Sequence, residues 1–278
     1  MSTRIHPMSV VDPKAQLGEN VEIGPFCVVG PDARIGDGTR LVSNAVVDGH
    51  ATIGRDCIVH PHARIGGPTQ DLKYDGGTTY VEIGDRTVLR ECVTVNCGTR
   101  DGEVTRIGSD CLFMAYCHAA HGVELGNGVI VSNSTQFAGE VKVEDKAVVS
   151  GLVGFHQFVH VGTMAMIGGV LKIAQDVPPY MIVDGYGKPE VVGINKVGLT
   201  RRGVPEETQA ALRQASDHLG IVDQLAQRAG RGSLLHGSLG HLHRPPHAHA
   251  ESCVSSCLDR HATLLLFHSI LFHRETML

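Results

Sequence analysis

Two histidines three positions apart, His118 and His121, are the side chains in this sequence best suited to acid–base chemistry. An imidazole exchanges a proton near neutral pH, so it can act as a general base towards a weak nucleophile such as a hydroxyl group. Eighteen positions beyond His121 stands Gly139, and eighteen beyond that stands Gln157, with His156 beside it. If the chain repeats with this period, these residues form one column and a candidate active site.

The element that must position this column is a ladder with an apolar or small residue at every sixth position. The series runs without a slip from Ile5 to Ile65 and again from Ile107 to Ile173, and glycine often follows the key residue. A period of six fits neither an amphipathic helix nor a meander of ordinary strands, which alternate with period two. It predicts a solenoid whose triangular coils, about 18 residues each, stack at a strand spacing of about 4.8 Å.

Two insertions interrupt the ladder, at residues 67–80 and 97–106. A solenoid tolerates insertions at its corners because each coil contacts only its neighbours. The first insertion is rich in turn residues and carries Asp71 and Lys73, which could line a groove beside the coils or simply face solvent.

Composition narrows the functional class. The 278 residues are 42% hydrophobic and carry a net charge of −5, so no basic excess suggests nucleic acid as a partner. Eight cysteines are scattered along a chain much longer than disulfide-stapled domains, which favours a reducing compartment. No leader pattern precedes the ladder, and the longest apolar run, at residues 262–272, is too short to span a bilayer. We expect a cytoplasmic protein.

The sequence changes character after the ladder. Pro178 and Pro179 are predicted to end the regular coils, and a helical pattern from about Pro205 to Arg228 is expected to cap their open end. Residues 230–278 hold eight of the 17 histidines and no lysine. We interpret this tail as atypical, and as disordered or out of frame, because the spacing of its cysteines, Cys253 and Cys257, does not resemble a structural zinc site.

Several motifs in this order identify a family. They are the ladder itself, Ile23–Pro31, Gln70–Tyr74, His118-x-x-His121, His156–Phe158, Ala174–Tyr180 and Gly198–Gly203. Together, over roughly residues 5 to 215, they resemble the UDP-N-acetylglucosamine O-acyltransferases that begin lipid A synthesis.

The resemblance implies an all-β solenoid, a left-handed parallel β-helix of hexapeptide repeats over residues 1–190, followed by a C-terminal helical region over residues 191–229. It also implies a homotrimer with active sites between neighbouring subunits. The implied reaction moves an R-3-hydroxyacyl group from acyl carrier protein to the 3-hydroxyl of UDP-N-acetylglucosamine, with no cofactor and no metal. The handedness comes from the resemblance alone, because period six does not determine it.

The resemblance also implies roles for single residues. His121 matches the general base, Gly139 matches a backbone N–H donor to the oxyanion, and Gly169 matches the floor of the groove for the acyl chain, where the missing side chain leaves room for a long donor. The residues that would bind or position the substrate are Asp71, Lys73, His118, His156, Gln157, Asn195, Arg201 and Arg202.

Some positions depart from the family pattern. Gly122 follows His121 where the family commonly has aspartate, and Glu140 stands where it often has histidine. We hypothesise that Glu140 supplies the missing carboxylate from the next coil, at about 5 Å, and so acts in catalysis. Cys97 and Val197 replace the arginine and glutamate that family members often carry.

Other functions fit parts of the pattern. One alternative is a different hexapeptide-repeat acyltransferase, acting on a UDP-3-amino sugar or using acetyl-CoA. The later N-acyltransferase of the same pathway would carry an extra N-terminal domain, whereas here the hexads begin at Ile5. A γ-carbonic-anhydrase-like trimer would bind zinc through His118, His121 and a third histidine. A non-catalytic solenoid would not depend on His121.

Overall fold

The computed structural model describes residues 2–218 and consists mainly of short parallel strands. The strands are β1 Arg4–Ile5, β2 Val10–Val11, β3 Gln16–Leu17, β4 Glu22–Ile23, β5 Val28–Val29, β6 Arg34–Ile35, β7 Arg40–Leu41, β8 Val46–Val47, β9 His50–Ile53, β10 Ile58–Val59, β11 Arg64–Gly67, β12 Tyr80–Ile83, β13 Val88–Leu89, β14 Thr94–Asn96, β15 Val104–Ile107, β16 Leu112–Phe113, β17 His118–Ala119, β18 Glu124–Leu125, β19 Ile130–Val131, β20 Gln136–Phe137, β21 Lys142–Val143, β22 Val148–Val149, β23 Gly154–Phe155, β24 His160–Val161, β25 Met166–Ile167, β26 Lys172–Ile173, β27 Met181–Asp184 and β28 Glu190–Ile194.

Up to β26 every third strand joins the same sheet, so the chain winds through three faces in turn, and β27 then follows β25 directly. The sheet orders are β1-β4-β7-β10-β13-β16-β19-β22-β25-β27, β2-β5-β8-β11-β14-β17-β20-β23-β26 and β3-β6-β9-β12-β15-β18-β21-β24. Within an uninterrupted stretch each residue pairs with the one a full coil later, as His118 pairs with Gln136. This is the predicted left-handed parallel β-helix of hexapeptide repeats.

The core is a column of the key residues of each hexad. From Ile23 to Ile173 the second residue of each two-residue strand is buried while its neighbour faces outward, as the period predicts. Three phenylalanines from successive coils meet in the interior: Phe137 stacks on Phe155 in the same sheet, with ring centroids 4.8 Å apart, and Phe113, from a neighbouring sheet, packs at a tilt against Phe137, with ring centroids 6.2 Å apart. Because these side chains fill the interior and exclude water, their packing holds the coils around His121 in register.

Hydrogen bonds connect the two insertions. The hydroxyl groups of Thr69 and Thr99 are 2.9 Å apart, and the N–H of Thr78 donates to the carboxylate of Asp101 at 2.8 Å. The second insertion is shorter than expected, because β15 already begins at Val104 and pairs along its full length with β12. The two insertions therefore form one surface over the coil that carries His121.

The regular coils end before Pro178 and Pro179, as predicted, and the chain forms one more strand of the β-helix after them. After Pro178 and Pro179, strand β27 pairs in parallel with β25, with Ile182 opposite Met166. The offset between paired residues is two residues shorter than in a regular coil, and the segment between the strands forms an isolated parallel bridge between Val161 and Val177. One irregular coil thus comes after the last regular one.

A second compact unit begins at Glu190 and contains β28 and two helices. Helix α1 spans Lys196–Arg201 and was not predicted, whereas α2 begins at Glu206, as the Pro-Glu-Glu signal predicted, and is described to His218. Helix α2 packs on β28 and α1 and buries Leu212. The helical pattern beyond residue 218 and the tail at 230–278 lie outside the described residues, and the predicted domain division stays a prediction.

Within residues 2–218, none of the helices has the length and apolarity needed to cross a membrane.

Replacing Phe137 with alanine should destabilise the β-helix by about 3–5 kcal/mol, since it removes a buried ring that packs against both Phe113 and Phe155 and leaves a cavity beside them. Chemical denaturation followed by circular dichroism measures this. Phe158→Ala is the matched control, because its ring is 62% exposed. An equal loss in both variants would contradict a core built on this stack.

A carboxylate ties the last regular coils together. Glu144 accepts hydrogen bonds from the ring of His160 at 2.8 Å and from the N–H and hydroxyl groups of Thr163 at 2.8 and 2.6 Å. Burial on its own would raise the pKa of Glu144, but these bonds outweigh it and lower the pKa to about 2.

The stabilisation from Glu144 should therefore be complete above the ordinary carboxyl pKa of 4.5 and disappear as the pH falls from there towards about 2. At about 1.4 kcal/mol per pKa unit, its contribution is on the order of 3 kcal/mol. Denaturation midpoints measured across this range should fall less steeply for Glu144→Gln than for the wild type. Parallel curves would contradict the assignment.

Candidate active site

The imidazole of His121 lies at a corner of the β-helix, three residues after the start of β17. Its Nε2 atom is 3.5 Å from the carboxylate of Asp71, which the first insertion brings over the coil. Its Nδ1 atom is buried and has no hydrogen-bond partner among the described residues. Since a buried polar atom normally makes a hydrogen bond, this nitrogen is available to a further hydrogen-bond partner.

The backbone of Gly139 packs directly against this imidazole, one coil further on. A Cβ atom built at Gly139 would overlap Nε2 of His121, so only glycine lets the ring lie there. The N–H of Glu140 donates to the carbonyl of His121 at 3.0 Å, and the N–H of Phe158 donates to the carbonyl of Gly139 at 3.2 Å. The column that the period predicted is therefore present, and the N–H of Gly139 itself donates to no other described residue.

His118 is held on the strand that leads to this corner. Its Nδ1 atom and the hydroxyl of Thr94, on the preceding coil, are hydrogen-bonded at 2.7 Å. Burial lowers the pKa of His118, and a hydrogen bond with the backbone of Thr94 offsets only part of that effect. His118 is thus a neutral, oriented side chain near neutral pH, which suits positioning better than proton transfer.

A cluster of charges surrounds His121 on the side of Gly122. The carboxylates of Glu103 and Glu140 and a ring nitrogen of His121 lie within 4.8 Å of one another, and Arg100 pairs with Glu140 at 3.3 Å. Glu140 thus lies where the sequence placed it, in reach of the histidine. Glu103 and Arg100, both from the second insertion, were not predicted, because no periodic pattern relates an insertion to the coils.

These three ligand atoms are close enough together to surround a metal ion. However, the carboxylate of Glu103 already accepts the N–H groups of Thr99 and Arg100, and that of Glu140 is engaged by the arginine. The positive charge of the arginine would also repel a metal ion bound beside it. We interpret the group as a charge cluster around the histidine.

The other predicted site residues divide into two groups. On the β-helix, Lys73, His156, Gln157 and Gly169 are exposed, and the N–H of Lys73 donates to Asp71 at 3.0 Å. The second unit carries the rest: Asn195 is buried and caps the N-terminus of α1 by accepting from the N–H of Gly198 at 3.0 Å, while Arg201 and Arg202 end that helix with exposed side chains. The cap makes Asn195 a structural residue as well as a candidate ligand.

Known proteins share this sequence and architecture. A family model described as "Udp N-acetylglucosamine O-acyltransferase; Domain 2" matches residues 176–228, and one described as "Bacterial transferase hexapeptide (six repeats)" matches residues 14–49 and 32–67. The acyl-[acyl-carrier-protein]–UDP-N-acetylglucosamine O-acyltransferase of Sinorhizobium fredii is 44% identical over 215 residues, which cover 77% of this chain and 79% of the relative. This chain belongs to that acyltransferase family.

Further relatives agree with this membership. The protein of the same name from Synechocystis is 48% identical over 146 residues, a match that spans about half of either chain. Among solved structures, the UDP-N-acetylglucosamine acyltransferase from Bacteroides fragilis is 37% identical with a TM-score of 0.76, covering 85% of this chain and 92% of that one. The Francisella novicida acyltransferase is 33% identical with the same TM-score, covering 82% and 87%.

Gly139→Ala should displace the imidazole of His121, because the added methyl group and the ring cannot share that space. The ring resonances of His121 in ¹⁵N-histidine-labelled protein, assigned with a His121→Gln sample, should shift, while circular dichroism stays unchanged. Gly154→Ala is the matched control, since a Cβ there meets nothing within 4 Å. An unmoved His121 signal in Gly139→Ala would refute the close contact.

Proposed function

We propose that this chain transfers an R-3-hydroxyacyl group from acyl carrier protein to the 3-hydroxyl of UDP-N-acetylglucosamine, the first step of lipid A synthesis. Its relatives from Sinorhizobium fredii and Synechocystis are named for this acyl-carrier-protein-dependent activity. The observation that carries the proposal is the imidazole of His121 held against the backbone of Gly139, with Nε2 beside the carboxylate of Asp71.

In this mechanism the imidazole of His121 removes the proton of the sugar hydroxyl as its oxygen attacks the thioester carbonyl. The hydroxyl is a poor nucleophile until a base takes its proton, and imidazole does so near neutral pH. The attack forms a carbon–oxygen bond and places a negative charge on the former carbonyl oxygen. The imidazolium then returns the proton to the sulfur as the carbon–sulfur bond breaks, which releases the carrier thiol.

The oxyanion formed in the first step needs hydrogen-bond donors that are already in place. The N–H of Gly139 fits this role, because it lies next to His121 and donates to no other described residue. Removing a donor of this kind from other enzymes costs about 10²–10³ in turnover.

The residues proposed to bind the sugar nucleotide come from several elements. Asp71 and Lys73 on the first insertion and His118, His156 and Gln157 on the coils would contact the sugar and orient its hydroxyl. Asn195, Arg201 and Arg202 would bind the nucleotide, since a guanidinium group offers two parallel N–H donors to a phosphate.

Gly169 is proposed to form the floor of the groove for the acyl chain. A Cβ atom there would have only the carbonyl of Gly151, at 3.3 Å, and the side chain of Ser150, at 3.7 Å, as near neighbours. Because the position is exposed and carries no side chain, this residue would not block an acyl chain lying there. We expect a longer hydroxyacyl donor than a bulky residue would admit.

A homotrimer is part of the proposal. Tyr116, Leu152 and Val170 occupy the same corner of the β-helix, with Ser134 on the coil between the first two, and the three apolar residues are each more than 60% exposed. Exposed apolar side chains along one corner favour burial against another copy of the chain. Sedimentation velocity measures the assembly.

A reducing, cytoplasmic location is proposed from the cysteines. Those of the described residues, six in all, are unpaired. Burial raises the pKa of the thiols of Cys111 and Cys117 to about 11, so neither is a reactive thiolate near neutral pH. Thiols of this kind suit a compartment in which disulfides do not form.

Purified protein given UDP-N-acetylglucosamine and a series of hydroxyacyl carrier proteins should form product with one preferred chain length, measured by mass spectrometry. His121→Ala should lower turnover by at least about 10³-fold, because no other group takes the hydroxyl proton. His6→Ala is the control, since its exposed ring belongs to the first coil of the β-helix, far from this corner in sequence.

Parallel reactions with the UDP-3-amino sugar and with acetyl-CoA test whether this chain has one of the alternative acyltransferase activities. Faster transfer to the amine, or transfer from acetyl-CoA, would replace the proposed substrate with that one. Full activity in His121→Ala would rule out the proposed base.

A further inference from the structure

The space beside His121 that a side chain at position 122 would enter is already filled. A Cβ atom built at Gly122 would lie 2.6 Å from Oε1 of Glu103 and 3.2–3.3 Å from the carboxylate of Glu140. The glycine therefore leaves a gap in its own coil that carboxylates from the second insertion and from the next coil occupy.

Glu103 is held firmly in this gap. Its Oε2 atom accepts hydrogen bonds from the backbone N–H groups of Thr99 and Arg100, the latter at 2.9 Å. Burial on its own would raise the pKa of Glu103, but these bonds and the charges of His121 and Arg100 lower it overall. The carboxylate is thus ionised near neutral pH, and Oε1 is the oxygen left to face the gap.

The histidine offers a matching donor. Nδ1 of His121 is buried without a partner, whereas Nε2 faces Asp71 and the backbone of Gly139. A carboxylate oxygen of Glu103 and a ring nitrogen of His121 lie within 4.8 Å of each other, and Nδ1 is the ring nitrogen that has no other partner among the described residues. Pairing would satisfy the one nitrogen that the described residues leave unsatisfied.

We propose that Glu103 is a positioning residue that accepts a hydrogen bond from the Nδ1–H of His121 and keeps the lone pair of Nε2 free to act as the base. This inference rests on the proposed function for its effect on turnover. The proton on Nδ1 fixes the tautomer, as an orienting carboxylate does for other basic histidines. The carboxylate also stabilises the imidazolium that forms once the sugar proton has been taken.

Glu140 is the competing candidate for this role. Its Oε1 atom pairs with Arg100 at 3.3 Å, so part of its charge is neutralised. Glu103 contacts the same arginine only through a backbone N–H, and its second oxygen remains available. The structure therefore favours Glu103 as the partner of His121, while Glu140 pairs with Arg100.

The direct test compares the tautomer of His121 in the wild type, Glu103→Gln and Glu140→Gln. The ¹⁵N ring shifts of labelled protein should show Nδ1-protonated His121 in the wild type and in Glu140→Gln, and a mixture of tautomers in Glu103→Gln. This readout does not require turnover, so it remains informative even if the proposed acyl transfer fails. Unchanged shifts in Glu103→Gln overturn the inference.

Turnover supplies a second readout. Glu103→Gln should lower kcat about 10–100-fold, with the KM for the sugar nucleotide within about twofold. The acid limb of its pH–rate profile should move to lower pH, because one negative charge near the imidazolium is lost. The charged groups that face the ring, namely Asp71, Glu140 and Arg100, are unchanged in this variant. A larger loss in Glu140→Gln than in Glu103→Gln would assign the role to Glu140.

Rescue separates positioning from a merely structural role in the turn at residues 99–103. Glu103→Ala empties the gap, and adding Gly122→Asp returns a carboxylate to it from the coil itself. Aspartate tolerates the positive φ of +63° at position 122 better than most residues. The double variant should regain at least about tenfold in kcat, whereas Glu103→Ala with Gly122→Asn should not. Equal activity of the two doubles, or stoichiometric metal in the purified wild type, overturns the inference.

Discussion

The register between successive coils is the constraint on which the rest of the structure depends. From residue 21 to residue 173 each hexad buries two side chains, its key residue and the one two positions earlier, and these pack on their counterparts in the coils on either side. The strands are two residues long in most of the chain, too short to be stable alone, so their stability comes from this stacking. The same register places Gly139 against His121, because the two residues occupy one position in consecutive coils.

The chemistry proposed for this corner of the β-helix depends on the charged groups around the imidazole of His121. Three carboxylates and one guanidinium group lie near His121, from two insertions and one coil. Asp71, which lies beside Nε2, and Glu103, which is proposed to pair with Nδ1, would affect the imidazole in different ways. The first lies where a substrate hydroxyl would approach the base, and the second can orient the ring without blocking it.

The sequence predicted the repeated parts of the structure from their period, whereas residues of the insertions were either missed, as Glu103 was, or expected only from the family resemblance, as Asp71 was. The buried ladder, the column from His121 to Gln157 and the start of α2 at Glu206 each reflect a period or a local signal, and the structure has them. Helix α1 has only six residues, too few to show a period. The approach of Asp71 and Glu103 to His121 depends on how two insertions fold against each other, through bonds such as that between Thr69 and Thr99, and no spacing in the sequence encodes it.

The insertions also make the β-helix unequally tolerant of changes in length. Inside the coils, the loss or gain of a single residue would turn every later hexad by one position and move outward side chains into the core. At residues 68–79 and 97–103 the chain has left the ladder, so a longer or shorter segment returns to the same register when Tyr80 or Val104 pairs again. Insertions and deletions in these two loops could therefore change the surroundings of His121 during evolution and leave the core unchanged.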